Sequence, residues 1–271
     1  MLRVWLVLAT SIPALVATGT LLVASSYRGR ESMPVAGRPS NAQAAELPEL
    51  NLNRTYSSPQ VPSGLGARRS TSSTFAMVGG YRPREEVYLA DPSNYDQRVA
   101  IDAQGQTVDN DYIVVLHETV GSVSSAINLF QTAHPNDDDQ VSYHALIASD
   151  GTVIYVVPPE QRAFGAGNSV FLSDKGEESV FTNPEFPSSV NNFAYHISLE
   201  TPIDGQNNSN AIHSGYTEAQ YQSLAWLISR STIPNDRITT HKRVDRSGSR
   251  SDPRSFEADR LFQLLHQYRG E

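Results

Sequence analysis

The sequence contains no cysteine. This absence excludes disulfide bonds, thiolate metal ligands and a cysteine nucleophile, so any metal site must be built from His, Asp or Glu. The chain also lacks a long basic run, and its formal net charge is −8. An acidic chain of this kind is a poor partner for a polyanion, which argues against nucleic acid as the main binding partner.

The N-terminal segment has the pattern of an export signal. A short basic start, Met1 to Arg3, precedes an apolar stretch from Val4 to about Ala24. The small residues Val23 to Ser25 are typical of a signal-peptidase site, but the stretch is also just long enough to span a bilayer. Residues 1–26 are therefore predicted to be either a signal peptide or a retained membrane anchor. Both alternatives imply a secreted protein of the periplasm or cell envelope, and the second adds a membrane tether.

Residues 27–75 are predicted to be a flexible linker. This stretch contains five prolines and many Ser, Ala, Gly and Asn residues, without sustained apolar periodicity. Such a segment cannot bury enough apolar surface to offset the entropy lost on ordering. We therefore expect one catalytic domain over residues 76–271.

Strand and helix patterns alternate within that domain. Apolar β-branched runs predict strands, Ser149-Asp150-Gly151 predicts a hairpin turn, and Thr217 with Gln220 predicts a capping box that opens a helix. The interleaving predicts an α/β fold with a mixed central β-sheet and helices packed on it. The predicted strands are 112–116, 143–148, 152–157, 193–199 and 237–240, and the predicted helices contain Val123 to Phe130, Tyr221 to Ile228 and Leu261 to Tyr268.

Two histidines follow predicted strands, and a carboxylate comes soon after the second. His117 follows the strand that ends at Leu116, His241 follows Ile238-Thr239-Thr240, and Asp252 lies eleven residues beyond His241. Two His and one Asp form a usual catalytic zinc set that leaves a fourth position for water. Spacing alone leaves a second interpretation open, in which the histidines are polar strand ends and Asp252-Pro253 opens a turn.

Five ordered blocks resemble the N-acetylmuramoyl-L-alanine amidases of the amidase-2 type, which include bacteriophage amidase-lysozymes and animal peptidoglycan recognition proteins. The block Val141 to Ile147, followed by Asp150 to Val153, is similar to the family's "VSYH-LI-DGT" motif. The resemblance covers the chain from about Tyr88 to the C-terminus. The other four blocks are 114–119, 163–169 ("AWHAG-S"), 192–200 ("N-SIGIEL") and 241–253.

The resemblance implies zinc-dependent hydrolysis of the amide bond between N-acetylmuramic acid and L-alanine in peptidoglycan or muropeptides. Matched position by position, His117, His241 and Asp252 correspond to the zinc ligands. Tyr143 corresponds to the tyrosine beside the zinc in the phage and animal enzymes, and Arg250 stands where many members have Lys. Tyr143 and Arg250 are the implied catalytic residues.

The chain departs from the family pattern at three positions. Ser198 stands where the cytoplasmic anhydro-muropeptide amidases place a catalytic Glu. Gly165 replaces a loop His and Phe164 replaces a Trp. The proton acceptor stays open among Asp252, Tyr143 and Glu200.

Four of the remaining histidines are expected to be structural or to lie at the surface. His144 is expected to face away from Tyr143, since neighbouring side chains on a strand alternate. His134, His213 and His266 are expected at the surface.

Two alternative functions remain open at this point. One is a module that binds peptidoglycan without cutting it. The other is a zinc peptidase with a different peptide substrate, although the helical H-E-x-x-H pair is absent because His117-Glu118 has no second His four positions on.

Overall fold

The computed structural model describes residues 80–271. The expected signal or anchor (1–26), the expected linker (27–75) and the domain boundary at residue 76 lie outside the described residues. Within residues 80–271, no helix is long and apolar enough to cross a bilayer.

The described residues form ten β-strands and four α-helices. The strands are β1 (Glu85–Val87), β2 (Tyr95–Gln97), β3 (Ile113–Glu118), β4 (Ala145–Ile147), β5 (Val153–Tyr155), β6 (Gln161–Ala163), β7 (Phe171–Ser173), β8 (Gly176–Glu178), β9 (Ala194–Leu199) and β10 (Ile238–Thr240). The helices are α1 (Val123–Gln131), α2 (Glu218–Ser229), α3 (His241–Val244) and α4 (Ala258–Arg269).

Six strands form a mixed central sheet in the order β1-β5-β4-β9-β3-β10. The hairpin partners β4 and β5 are antiparallel, whereas the other neighbouring pairs are parallel. The predicted α/β fold with a mixed sheet is confirmed. The strand expected to end at Leu116 continues through His117 to Glu118, so His117 lies within β3 rather than after it.

The two faces of the sheet bury different partners because side chains alternate along a strand. Val114 and Leu116 of β3, with Ile197 of β9, pack against α2 and α4 in the larger core cluster. The opposite face carries Val115 and, farther along, Leu146, and it is covered by α1 and by loops. The functional side chains of β3 and β9 lie on this loop-covered face.

Local signals in the sequence fix two of these elements. Gly151 adopts a φ of +86° in the β4–β5 turn, where a Cβ would lie 2.9 Å from the carbonyl oxygen of Ala219. Thr217 accepts a hydrogen bond from the Gln220 amide at 3.1 Å, and the Gln220 side chain accepts one from the Thr217 amide at 3.0 Å. The predicted hairpin and capping box are both present, and they dock α2 against the sheet.

A buried ion pair ties the small β7–β8 hairpin to the central sheet. The Arg237 guanidinium donates to both carboxylate oxygens of Glu178, at 3.0 and 2.9 Å, and to the carbonyl oxygen of Tyr112 at 3.0 Å. Burial raises the pKa of Glu178, but the hydrogen bonds from Arg237, Ser173 and Asn110 outweigh it and lower the pKa to about 2. The ion pair therefore anchors the starts of β3 and β10, the two strands that lead to His117 and His241.

The Glu178–Arg237 pair predicts a loss of stability in acid. Because the folded-state pKa of Glu178 lies below its unfolded value, its contribution is present above the unfolded pKa and is lost as pH falls through about 2. Glu178→Gln should lower the free energy of unfolding by about 3 kcal/mol at pH 7, since it leaves Arg237 buried and unpaired. Urea titrations should show that the difference in free energy of unfolding between Glu178→Gln and the wild-type protein narrows between pH 5 and pH 2.

The neighbouring Glu177 provides the matched control. It pairs with Arg246, and its side chain is 66% exposed. Exposed pairs contribute about 0 to 1 kcal/mol, so Glu177→Gln should change stability little at any pH. Equal losses in the two variants would contradict the assigned role of Glu178.

Candidate metal centre and substrate cleft

Parallel strand pairing brings His117 and His241 together. β10 pairs with β3 so that Thr240 lies opposite Leu116, which puts His241 level with His117. His241 is the first residue of α3, directly after β10. The two imidazole rings lie 4.6 Å apart between centroids, and both are buried.

The Asp252 carboxylate completes the group. Its Oδ2 atom lies 3.3 Å from Nδ1 of His117 and 3.1 Å from Nδ1 of His241. The Lys242 amide donates to the Asp252 carbonyl oxygen at 2.9 Å, which holds this residue beside α3. One ligand atom from each of the three side chains lies within 4.8 Å of the others, so the structure brings together the three residues that the sequence suggested as metal ligands.

The charge states of these groups suit a cation. Burial lowers the pKa of His117 to about 4, so its imidazole is neutral at pH 7. Burial opposes ionisation of Asp252, but the neighbouring His117 and His241 outweigh it and hold the pKa of the carboxyl below its usual range. Two imidazoles, of which that of His117 is neutral, and one carboxylate therefore face a common point.

Nδ1 of His117 is the best indicator of what belongs at that point. It is buried and, among the described residues, has no hydrogen-bond partner, because the 3.3 Å approach to Asp252 is not aligned for a hydrogen bond. A buried nitrogen without a partner costs free energy unless a ligand engages it. The donor set of two imidazoles and one carboxylate fits a catalytic divalent metal.

Tyr143 and Arg250 lie at the same site in different settings. The Tyr143 ring stacks on His117 with 4.3 Å between centroids, and burial raises the pKa of its hydroxyl above the usual value. Arg250 is exposed, and its backbone amide donates to Asp245 at 3.1 Å. Both residues line a cleft of about 840 Å³ that also exposes His241 and Asp252. The structure therefore places Tyr143 against a candidate ligand and Arg250 at the mouth of the cleft.

The other carboxylate and hydroxyl considered from the sequence do not reach this cleft as bases. Ser198 lies opposite His117 in the β3–β9 register, fully buried. Glu200 accepts hydrogen bonds from the amides of Val123 and Ser149, each at 2.8 Å. Glu200 thus fastens the start of α1 and the β4–β5 turn.

A buried ion pair beside the site was not predicted. Arg254 donates to Glu118 at 2.6 Å, and Nε2 of His213 lies 3.2 Å from the same carboxylate. The expected surface position of His213 is wrong, since its side chain is fully buried. Glu118 and Arg254 are 136 residues apart, so no local pattern signals their contact. The pair connects the chain just after Asp252 to the strand that carries His117.

Comparison with known proteins assigns the family. Residues 107–255 match the model of the N-acetylmuramoyl-L-alanine amidases of the amidase-2 type. The chain belongs to this family, as its sequence blocks suggested. No curated protein sequence matches the chain.

Solved structures of amidases are similar to the described domain. A selenomethionine derivative of AmpD shares 27% identity over 68% of this chain and 94% of its own, with a TM-score of 0.46. AmpD of Citrobacter freundii shares 25% identity over 68% and 90%, with a TM-score of 0.41. AmiD of E. coli, in complex with anhydro-N-acetylmuramic acid-L-Ala-D-γ-Glu-L-Lys, shares 20% identity over 60% and 65%, with a TM-score of 0.43.

The backbone beside the cleft contains an unusual residue. Val120, which lines the cleft, has a φ of 58°, a conformation that β-branched side chains rarely adopt. Its amide donates to Thr201 Oγ1 at 2.8 Å, and its carbonyl oxygen accepts from the Asn207 amide at 2.8 Å. These two bonds hold the strained turn, and residues in this conformation cluster at functional sites.

This strain predicts an unusual tolerance for glycine at position 120. The left-handed conformation costs about 1 to 2 kcal/mol for an L-residue, and glycine removes that cost. Val120→Gly should therefore change the free energy of unfolding by less than about 0.5 kcal/mol, because strain relief offsets lost burial and added backbone entropy.

The control is Val87→Gly on strand β1. Val87 is 37% exposed and Val120 is 45% exposed, so their burial is similar, but Val87 has ordinary extended backbone. Val87→Gly should cost about 1 to 2 kcal/mol in the same urea titrations. Equal losses at both positions would show that Val120 is not strained.

Proposed function

We propose that this chain uses zinc to hydrolyse the amide bond between N-acetylmuramic acid and L-alanine in peptidoglycan. The observation that carries the proposal is the convergence of His117, His241 and Asp252 on one buried point at the edge of an 840 Å³ cleft. Membership of the amidase family supplies the bond type. The substrate lies outside the cytoplasm, which agrees with the exported location expected from residues 1–26.

The proposed ligands are Nδ1 of His117, Nδ1 of His241 and one carboxylate oxygen of Asp252. All three are buried, and the cleft leaves one side of the group accessible. When bound, a zinc ion supplies a Lewis acid that polarises a carbonyl and makes water a stronger acid.

Tyr143 is proposed to act as a hydrogen-bond donor. Burial raises the pKa of its hydroxyl, so the phenol keeps its proton at neutral pH. Its ring is fixed against His117 and, edge-on, against Phe130. A donor held in this way stabilises the negative charge that develops on the scissile carbonyl oxygen.

Arg250 is proposed to bind an anionic group of the substrate or the developing oxyanion. Its guanidinium is a permanent cation with five donors, and it does not exchange protons at physiological pH. Its exposure at the mouth of the cleft suits binding rather than proton transfer. Glu200 is engaged by two amides and Tyr143 keeps its proton, so Asp252 remains as the proposed proton acceptor.

Removal of a metal ligand should remove zinc and activity together. His117→Ala and His241→Ala each leave two donors, too few to retain the ion in an open site. Metal analysis of the purified variants and mass spectrometry of digested peptidoglycan measure the two effects. His266→Ala, which alters an exposed histidine of α4, should keep both zinc and activity.

The same assays separate the alternatives. Zinc in wild type with N-acetylmuramic acid released from L-alanine supports the amidase. Binding of peptidoglycan without release would support a binding module, and cleavage of other peptide bonds alone would support a peptidase. Full zinc occupancy in His117→Ala would refute the proposed ligand set.

Tyr143→Phe and Arg250→Ala should retain zinc but hydrolyse the substrate more slowly. Loss of a hydroxyl that stabilises transition-state charge should lower kcat on the order of 10²-fold. Arg250→Lys should retain part of the activity if charge suffices, and should resemble Arg250→Ala if the guanidinium binds through two donors. Tyr88→Phe, which changes an exposed tyrosine, is the control. Normal turnover in Tyr143→Phe would show that the hydroxyl is not used.

A further inference from the structure

His196 is a buried histidine outside the proposed ligand set. It lies on β9, opposite Val115, and its ring is on the same face of the sheet as His117. Its Nδ1 lies 2.9 Å from Nε2 of His117. This contact is the only hydrogen bond made by the His196 ring within the described part of the chain, because its Nε2 has no partner there.

The backbone of His196 is held in place by His144. The His196 amide donates to Nδ1 of His144 at 2.9 Å, and the His144 amide donates to the His196 carbonyl oxygen at 3.0 Å. Since Nδ1 of His144 accepts, its proton lies on Nε2, which donates to the Gln161 carbonyl oxygen at 3.1 Å. These hydrogen bonds agree with the structural role expected for His144. They also hold the backbone from which the His196 side chain projects.

Gly165 provides the space for the His196 ring. A Cβ at position 165 would lie 2.5 Å from Cγ and Nδ1 of His196, closer than atoms in contact can approach. The glycine on the cleft loop and the imidazole on the sheet therefore fit together. The absence of a side chain at position 165 is required by the ring at position 196.

Burial of the His196 ring costs free energy, and a function of its contact with His117 would account for that cost. Nε2 of His196 is a buried polar atom without a partner, and a leucine or phenylalanine would bring no such cost. If Nδ1 of His117 presents its lone pair to a cation, the proton of His117 is on Nε2. That proton points at Nδ1 of His196, and a neutral imidazole there accepts it.

We propose that His196 is a positioning residue, which accepts the Nε2 proton of His117 and so aims Nδ1 of His117 at the metal position. The inference rests on the proposed function, because it presumes that His117 binds a metal. Groups that orient metal-bound histidines in this way contribute about 10- to 100-fold to metal affinity. Gly165 keeps the space that this arrangement needs.

Zinc affinity, measured by competition with a chelator on folded protein, tests the proposal without relying on turnover. His196→Leu keeps bulk and removes the acceptor, so it should weaken zinc binding about 10- to 100-fold. His196→Asn retains an acceptor oxygen near the place of Nδ1 and should recover most of the affinity. Ile197→Val, the neighbouring residue that faces α2 and α4, should lower stability while leaving zinc affinity unchanged.

A second pair of variants tests the space at Gly165. Gly165→Ala should displace the His196 ring and weaken zinc binding by a similar factor. In the His196→Ala background, Gly165→Ala should cause no further loss, because the ring that it strikes is gone. Additive losses of zinc affinity in the double variant would overturn the proposed link between Gly165 and His196.

Nitrogen NMR of the zinc-loaded protein provides a direct readout. Nδ1 of His196 should have the shift of an unprotonated nitrogen that accepts a hydrogen bond. A protonated Nδ1, or wild-type zinc affinity in His196→Leu, would overturn the proposal. A wild-type chain that binds zinc but releases no muramic acid would refute the amidase proposal alone, whereas a chain without zinc affinity would refute both.

Discussion

The parallel pairing of β3 with its neighbours β9 and β10 is the constraint on which the site depends. Residues in register on parallel strands project to the same side of a sheet, so this pairing sets His117 level with His241 on one side and opposite Ser198 on the other. The opposite face of the same strands is apolar and packs under α2 and α4. Burial of that face fixes the register, because a shift by one residue would exchange the apolar and polar faces. The hydrophobic core therefore determines the geometry of the polar cluster.

Burial also determines the chemistry of the imidazoles. It lowers the pKa values of His117, His144 and His196, so all three rings are neutral, and each then has one donor and one acceptor nitrogen. The acceptor of His144 receives the His196 amide, and the acceptor of His196 faces His117. The His117 ring thus donates to the His196 ring and the His196 amide donates to His144, so both donors point away from the unpartnered Nδ1 of His117. A neutral chain of this kind presents a lone pair at its end, whereas protonated rings would present a proton and repel a cation.

The sequence predicts the parts of this arrangement that local patterns encode. The long strands β3 and β9, the Gly151 turn and the Thr217 capping box are visible because burial, glycine and capping chemistry leave short-range signatures. His117 and His241 are suggested by strand ends, but Asp252 needed the family resemblance, since an Asp-Pro pair alone also fits a turn. Three-residue strands such as β7 and β8 are too short to show periodicity. Contacts such as Glu118 with Arg254 join residues 136 apart, and only the folded chain reveals them.

The position of Ser198 links the departures from the family pattern to one another. A carboxylate at this level of β9 would lie beside His117, but this chain has a buried hydroxyl there. Two residues earlier on the same face it has the His196 imidazole, and across from that ring the cleft loop has Gly165 instead of a histidine. The polar group next to His117 is thus an uncharged acceptor instead of an anion. A second carboxylate would add negative charge next to Asp252 and raise the cost of an ionised pair in a buried site. In the proposed mechanism, the stabilisation of developing negative charge therefore falls to Tyr143, whose ring is packed on His117, and to the Arg250 cation at the mouth of the cleft.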